Sequence, residues 1–217
     1  PIWLARLRID FVWGASQFNN EDFVRRGFPR ERCRVMPPMH RAEEIGRAPL
    51  DAVITGAHRD GAPNILFVGS FRPNKGHFKA IETLAAYRRL AAGPARLFLV
   101  GNLDAALNGY VEDLKLHARN LEVEDALFLA HSVNYSQLRA YYTAASVFLC
   151  VSEHEGFCVP LVEAMYFRVP IVAWAAAAVG ETCDGCGKVF DVFDARAMAE
   201  GIDECVTDPA ARRRLAD

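Results

Sequence analysis

Two carboxylates separated by seven residues, Glu155 and Glu163, form the feature of this chain best suited to chemistry. Between them lie Gly156 and Pro160, and Pro suits the first position of a helix because its missing N–H would have no partner there. The free N–H groups of a helix start carry partial positive charge and favour a phosphate. A carboxylate one turn further in could bind a pair of ribose hydroxyls, and the loop carboxylate could bind a group beyond the phosphates. The spacing therefore indicates a nucleotide-sugar site.

Each of these groups also has an ordinary structural explanation. Arg72 and Lys75 follow an earlier apolar run and could neutralise a diphosphate, but on their own they fit surface charge better. Glu163 would suit a helix dipole, Glu155 an ordinary loop, and His154 an exposed loop position rather than a catalytic base. The chain has no G-x-G-x-x-G after its first strand and no Walker-type loop, which speaks against a dinucleotide or P-loop site. The site hypothesis depends on all these groups meeting at one place.

Short apolar runs alternate with segments of helical periodicity from residue 64 onward. The predicted strands cover 65–69, 96–101, 126–130, 146–151, 170–174 and 188–190. The predicted helices cover 75–91, 108–119, 135–144, 160–168, 194–206 and a last segment from 208. Strands that are apolar on both faces and alternate with helices predict a doubly wound, Rossmann-like parallel sheet. The loops that follow the strands then project to one edge of that sheet, and these loops include Lys75 and Glu155.

The first 62 residues lack this alternation. Residues 10–15 form a short apolar run, Asn19 or Asn20 is the expected cap of a helix ending near Arg26, and 34–36 form a short strand. Residues 37–62 carry Pro, Gly and charge, with one helix expected near 49–58, and predict a linker or domain seam.

Composition places the chain among globular proteins. Its 217 residues are 52% hydrophobic and 24% charged with a net charge of −2, which gives no electrostatic footprint for nucleic acid. No apolar run approaches the roughly 20 residues that span a bilayer, and residues 1–6 do not resemble a signal peptide. A single C-x-x-C, Cys183 to Cys186, lacks the second ligand pair of a zinc site, so we expect reduced thiols in a cytoplasmic protein and no metal. The chain does not begin with Met and is expected to be part of a longer protein.

The run from Glu155 to Met165 resembles the E-x7-E signature of retaining glycosyltransferases of family 4, which have the GT-B fold. The flanking segments resemble that family too: its first donor-domain strand and phosphate loop at 65–76, the segments after the signature at 169–173 and 179–182, and the close of its N-terminal domain at 11–19 and 35–38. The resemblance implies one half of a GT-B enzyme. Residues 1–40 would be the tail of the N-terminal acceptor domain, 41–62 a linker, and 63–217 the nucleotide-sugar donor-binding domain, truncated at its C-terminus.

The resemblance also implies roles. Lys75 would bind the diphosphate and stabilise it as the leaving group, Glu155 would hold a hydroxyl of the donor sugar, and Glu163 would bind the ribose. Backbone N–H groups from Phe157 to Leu161 would face the diphosphate and sugar, and residues 131–133 would lie by the base. The further donor-binding residues are Ser70, Arg72, Val133, Gly156, Phe157, Cys158, Val159 and Leu161. No metal or other cofactor is needed, because the lysine and the helix start do the charge work of a cation.

Two positions depart from the family pattern. Ser70 stands where the family usually has Arg, with Arg72 as the candidate substitute, and Cys158 replaces the usual second Gly while still permitting a turn. The expected donor is GDP-mannose or a UDP-sugar, since Phe157-Cys158 is similar to mannosyltransferase-like members. The expected acceptor is a glycan or lipid-linked sugar bound through the N-terminal domain, which allows a peripheral position at the inner membrane face.

Two other functions stay open at this point. Ser70 favours a non-catalytic partner-binding module or pseudo-enzyme of GT-B shape. A nucleotide-sugar epimerase of the same shape is the other alternative, and the E-x7-E run argues against it.

Overall fold

The computed structural model describes residues 8–58 and 60–216. The strands are β1 Val12–Gly14, β2 Cys33–Val35, β3 Asn64–Val68, β4 Arg96–Gly101, β5 Leu127–His131, β6 Val147–Cys150, β7 Ile171–Trp174 and β8 Lys188–Phe190. The helices are α1 Gln17–Arg25, α2 Ala42–Arg47, α3 Ala52–Ala57, α4 His77–Ala91, α5 Asn108–Asn120, α6 Tyr135–Ala144, α7 Val159–Tyr166, α8 Val179–Thr182, α9 Ala195–Thr207 and α10 Pro209–Ala216. Residues 1–6, where no signal peptide was predicted, lie outside the described part.

Six strands form one parallel sheet in the order β5-β4-β3-β6-β7-β8, which confirms the predicted Rossmann-like α/β fold. The chain builds outward from β3 to β5 and then returns to add β6, β7 and β8 on the other side. The loops that follow β3 and β6 therefore leave neighbouring strands toward opposite faces. In doubly wound sheets, ligands bind in the crevice at such a switch point.

Apolar residues of alternating orientation cover both faces of this sheet. Ile65 and Phe67 of β3 pack in one core with residues of α4, α5 and α9, whereas Leu66 packs in the other core with residues of α6 and α7. This burial on both faces is why the strands are continuously apolar in sequence. None of the helices in the described ranges is long and apolar enough to cross a bilayer.

The first 62 residues differ from the sequence prediction at the cap of α1, in a separate small sheet and in one additional helix. Helix α1 is capped by Ser16, which has an extended backbone and whose side-chain oxygen accepts the N–H of Asn19, so Asn19 and Asn20 lie inside the helix. Strands β1 and β2 form a separate two-stranded parallel sheet. The predicted linker contains α3, near the expected helix, and also α2, which was not predicted. Helix α2 forms because Ala42 and Ile45 are buried where it packs on α6 and α7.

Candidate functional site

The loops that follow β3 and β6 meet at the switch point of the sheet. The N–H of Glu153 donates to the carbonyl of Asn74 at 2.9 Å. Gly76 has a φ of 75°, and a Cβ there would lie 2.0 Å from the carbonyl oxygen of Val151. Only glycine permits this backbone approach, so the contact fixes the two loops relative to each other. Helix α4 starts at His77 rather than at 75 because a 3-10 turn and Gly76 precede it.

The predicted basic and acidic groups meet between these loops. Lys75 Nζ donates to Glu155 Oε1 at 2.7 Å, although 80 residues separate them in sequence. The two side chains are only 20% and 10% exposed. A cation and a carboxylate in contact at low exposure interact more strongly than surface charges do.

A second lysine–glutamate pair lies one helical turn away and was not predicted. Lys79 of α4 is paired with Glu153 of the same loop. Its ammonium also lies 5.6 Å from the ring centroids of both Trp174 and Phe193. The side chain of Glu153 is 47% exposed, so this pair lies nearer to solvent than the first.

The second carboxylate of the signature, Glu163, lies inside α7 and is buried. The hydroxyl of Tyr142 donates to Glu163 Oε2 at 2.8 Å, and the Tyr142 ring stacks on Phe167 at 5.0 Å. Burial raises the pKa of Glu163 above its usual value, and the Tyr142 hydrogen bond offsets part of that rise. Sequence reasoning missed Tyr142 because it lies on α6, 21 residues before Glu163, and resembles an ordinary core aromatic residue.

The loop before α7 exposes a row of backbone donors. Cys158 caps the helix with a φ of 67°, the left-handed conformation that usually favours glycine. Within the described residues, the N–H groups of Gly156, Phe157, Cys158 and Val159 donate to no protein acceptor. Leu161 does not belong to this row, because its N–H donates to the carbonyl of Cys158 at 3.0 Å and its side chain is in the core. Val159 starts the helix, which makes Pro160 the second rather than the first helical residue.

Helix α8 and the residue before it hold this loop by hydrogen bonds to its carbonyl groups. The hydroxyl of Thr182 donates to the carbonyl of Phe157, and the N–H of Ala178 donates to the carbonyl of Glu155 at 3.2 Å. These bonds use two of the loop's carbonyl groups and none of the N–H groups of residues 156–159. The arrangement can bind an anion through main-chain donors and one lysine.

A cavity of about 240 Å³ lies at the exits of β3 and β4. Gly69 in its lining is close to Lys75, since a Cβ on Gly69 would lie 3.6 Å from Lys75 Cδ. Its lining includes Ser70 and Val133, two of the predicted donor-binding residues, together with Gly101 and Asn102. A Cβ on Gly101 would lie 1.9 Å from the carbonyl oxygen of Gly69, so glycine keeps these two strand exits in contact. Arg72 is exposed, and within the described residues its side chain makes no hydrogen bond or ion pair.

The cysteines are free thiols. Burial raises the pKa of Cys183 to about 12, while Cys186 in the same C-x-x-C is partly exposed. No group of three or more His, Cys, Asp or Glu residues suited to a metal ion occurs in residues 8–58 and 60–216.

A sequence profile for the family described as "Glycosyl transferases group 1" matches residues 54–217. The chain belongs to this family. The match begins inside the predicted linker and includes both loops of the site.

Curated relatives of this glycosyltransferase chain include two mannosyltransferases. The serotype-specific mannosyltransferase WbdA of Escherichia coli is 29% identical over 113 residues, which are 51% of this chain and 13% of WbdA. The GDP-mannose:cellobiosyl-diphosphopolyprenol alpha-mannosyltransferase of Xanthomonas oryzae is 34% identical over 102 residues, 46% of this chain and 26% of that enzyme.

The fold is also similar to that of a solved glycosyltransferase structure. Anabaena Alr3699/HepE in complex with UDP and glucose superposes with a TM-score of 0.80 at 20% identity, over 95% of this chain and 56% of HepE. The fold is that of one Rossmann-like half of a GT-B glycosyltransferase. The chain spans well under two thirds of the length of each of these three proteins.

Proposed function

We propose that this chain is the donor-binding half of a retaining glycosyltransferase of the E-x7-E type, which transfers a sugar from a nucleotide-diphospho-sugar to an acceptor hydroxyl. The observation that carries the proposal is the 2.7 Å contact of Lys75 with Glu155 at the switch point of the sheet. This pair lies beside a row of free N–H groups and a cavity, which is what a ligand with phosphates and a nucleoside requires.

Each part of a nucleotide sugar has a matching group. The base would enter the cavity lined by Ser70 and Val133, and the ribose hydroxyls would bind Glu163. The diphosphate would lie on the N–H groups of residues 156–159, with Lys75 as its counter-charge. Glu155 would then accept a hydrogen bond from a hydroxyl of the donor sugar.

The Lys75–Glu155 pair suggests how binding prepares the site. Without donor, each charge satisfies the other. A diphosphate would draw the ammonium toward its oxygens and free Glu155 for the sugar hydroxyl. The pair therefore keeps both groups in place at low exposure, so that little reorganisation precedes reaction.

The proposed reaction is a front-face displacement. The bond from C1 of the sugar to the diphosphate oxygen breaks, and the departing negative charge is stabilised by Lys75 and the start of α7. The acceptor oxygen forms its bond to C1 on the same face, and its proton passes to the departing diphosphate. Because lysine and main-chain donors do the charge work, nucleotide affinity should be unchanged by a chelator such as EDTA.

Mannose from GDP-mannose is the donor we propose first. Both curated relatives above are named mannosyltransferases, and one name specifies GDP-mannose. A UDP-sugar is the alternative, since HepE was solved with UDP and glucose. The acceptor, a glycan or lipid-linked sugar, would bind through an N-terminal domain, and a cytoplasmic location would supply the nucleotide sugar.

Calorimetric titration of the 217-residue chain with GDP-mannose, UDP-glucose, UDP-GlcNAc and dTDP-rhamnose tests this function. We expect one donor to bind and no sugar to be transferred, because the proposed acceptor domain is not part of this chain. Glu163→Ala should weaken that binding by about tenfold, roughly 1.4 kcal/mol. Unchanged affinity in this variant would remove the ribose assignment, and sugar transfer by this chain alone would overturn the half-site proposal.

One observation favours a second candidate, a non-catalytic module of the same shape. Ser70 lines the cavity where an arginine was expected, and Arg72 has no partner in the described residues to hold it toward the site. This candidate predicts no binding of any of the four nucleotide sugars, so the same titration decides between the two.

A further inference from the structure

Helix α1 is held against the donor loop by a carboxylate far away in sequence. Glu181 of α8 accepts the N–H of Gln17 at 2.7 Å and the N–H of Phe18 at 3.0 Å, one with each oxygen. These are the first two N–H groups of α1, which have no partner within the helix. A carboxylate at this position also favours the helix dipole. Glu181 therefore fixes the start of α1 next to α8.

The next residue of α1 has a defined side-chain orientation. The N–H of Asn19 donates to the Ser16 hydroxyl at 3.3 Å, and that hydroxyl donates to Asn19 Oδ1 at 3.2 Å. Ser16 is buried, so it is a rigid support. The amide oxygen of Asn19 is thus occupied, whereas its amide nitrogen donates to no acceptor in the described residues.

This side chain faces the signature loop. A Cβ on Gly156 would lie 3.2 Å from Asn19 Oδ1 and 3.7 Å from Asn19 Nδ2. Gly156 does not have a positive φ, so the space taken by Asn19 is what favours glycine here rather than the backbone conformation. Gly156 directly follows Glu155, so this free amide donor lies next to the loop that carries the carboxylate proposed to hold the sugar.

Helix α8 connects both sides of this arrangement. It binds α1 through Glu181 and the signature loop through Thr182 and Ala178. These four hydrogen bonds tie α1 and the signature loop to the same short helix, and so limit the distance between Asn19 and Glu155.

We infer that Asn19 binds the sugar of the donor through its amide nitrogen and that Glu181 is the positioning residue that holds it there. This inference rests on the proposed function. It assigns a donor contact to the N-terminal segment of the chain, outside the E-x7-E run and outside the strand-exit loops.

The comparison of a nucleotide sugar with its nucleoside diphosphate separates this role from general folding. We expect Asn19→Ala and Asn19→Asp to weaken binding of GDP-mannose, or of UDP-glucose if that is the donor bound, by roughly fivefold. The matching diphosphate, GDP or UDP, should bind to the variants within about twofold of its affinity for wild type, because it lacks the transferred sugar. Gln17→Ala is the matched control, since it removes an exposed neighbouring side chain and keeps the N–H that Glu181 accepts. Equal losses for sugar and diphosphate would overturn the assignment.

The positioning role of Glu181 has a readout that needs no ligand. Glu181→Gln keeps the size of the side chain but leaves one oxygen for two donors, so amide exchange at Gln17 and Phe18 should accelerate severalfold while exchange in α7 is unchanged. The same variant should lose part of the sugar-specific affinity, and Asp184→Asn, an exposed neighbour, should change neither property. Unchanged exchange would overturn the role of Glu181. If the wild type binds no nucleotide sugar, the proposed function and the Asn19 assignment both fail, and the exchange measurement still decides on Glu181.

Discussion

Two lysine–glutamate pairs, four residues apart, join helix α4 and the 3-10 turn before it to the same loop, and they differ in their surroundings. In the inner pair, Lys75 and Glu155 are 20% and 10% exposed, whereas Lys79 and Glu153 of the outer pair are 26% and 47% exposed. Exposed ion pairs contribute about 0–1 kcal/mol to stability. Breaking a buried pair costs more, because one charge is left without a partner. The same kind of ion pair, made to the same loop, therefore has different consequences for stability.

The neighbours of each pair explain which one is part of a site. The outer lysine is already held by a carboxylate and two aromatic rings, Trp174 and Phe193. The inner pair lies beside the unpartnered N–H groups of residues 156–159 and the cavity at the exits of β3 and β4. We therefore interpret the inner pair as part of a binding site, because hydrogen-bond donors near it have no partner. We interpret the outer pair as a structural contact, because its lysine already has several partners.

The largest expected effect comes from breaking the backbone contact on which both pairs depend. Gly76→Ala would place a Cβ 2.0 Å from the carbonyl oxygen of Val151 at a φ of 75°. We expect the free energy of unfolding to fall by about 2–4 kcal/mol and nucleotide binding to be lost, because the loops must separate. Chemical denaturation and calorimetry measure the two effects.

Gly109→Ala is the matched control for this substitution. Gly109 lies in α5 with nothing within 4 Å of an added Cβ, so alanine there should stabilise the helix by roughly 0.5–1 kcal/mol. Wild-type stability and binding in Gly76→Ala would show that the two loops do not need this contact. The positions of the two ion pairs would then not depend on it.

The next effect separates the inner pair from the outer one. Lys75→Ala should weaken binding of the donor diphosphate by at least about tenfold, since it removes the counter-charge. Lys79→Ala removes the same charge one turn away and should change affinity by less than about twofold. Calorimetry at two salt concentrations measures both, and the dependence of affinity on salt should decrease mainly in Lys75→Ala. Equal losses in the two variants would mean that the lysines act only through the net charge of the loop.

Sequence reasoning predicted the sheet well because its signals are local. The segments 96–101, 135–144 and 188–190 were predicted with the bounds that the structure has. Helix α6 shows why, since Asn134 and Gln137 form a capping box that marks its start. Helix α2 was missed because only Ala42 and Ile45 form its apolar face, and their burial depends on α6 and α7 far along the chain.

The loops of the site could be predicted from the sequence, but the residues on other elements that contact them could not. Apolar strands predict that Lys75 and Glu155 leave the same edge of a parallel sheet, but the adjacency of β3 and β6 that brings them into contact is a property of strand order. Tyr142 contacts Glu163 across two helices, and Asn19 reaches Gly156 from the other end of the chain. No spacing in the sequence marks such contacts, because they form only when separate elements pack together.

The smallest expected effect concerns Glu163, the buried carboxylate of the E-x7-E run, and is measured as a dependence of affinity on pH. The pKa of Glu163 is raised by burial, so its ionised form, which accepts ribose hydroxyls best, should be lost at a higher pH than that of an exposed glutamate. We expect the affinity for a nucleotide sugar to fall by roughly threefold as Glu163 becomes protonated. A nucleotide sugar is the right probe, because a terminal phosphate titrates near a pKa of about 6 and would add its own pH dependence. His40, whose charge lowers the pKa of Glu163, should be replaced by Asn in every variant so that this interaction is absent throughout.

Tyr142→Phe sharpens this test, because the Tyr142 hydrogen bond lowers the pKa of Glu163. In this variant the loss of affinity should begin at a higher pH, and in Glu163→Gln the profile should be flat. Destabilisation of the fold through Glu163 does not explain this fall in affinity at low pH. A carboxyl whose pKa is raised on folding stabilises the protein most below its unfolded value of about 4.5, and that contribution is lost as pH rises through the folded pKa. The contribution of Glu163 to the melting temperature should therefore increase as the pH falls, whereas the affinity for the nucleotide sugar should decrease. A profile that is the same in wild type and Glu163→Gln would assign the pH dependence to another group and leave Lys75–Glu155 as the part of the site that senses the donor.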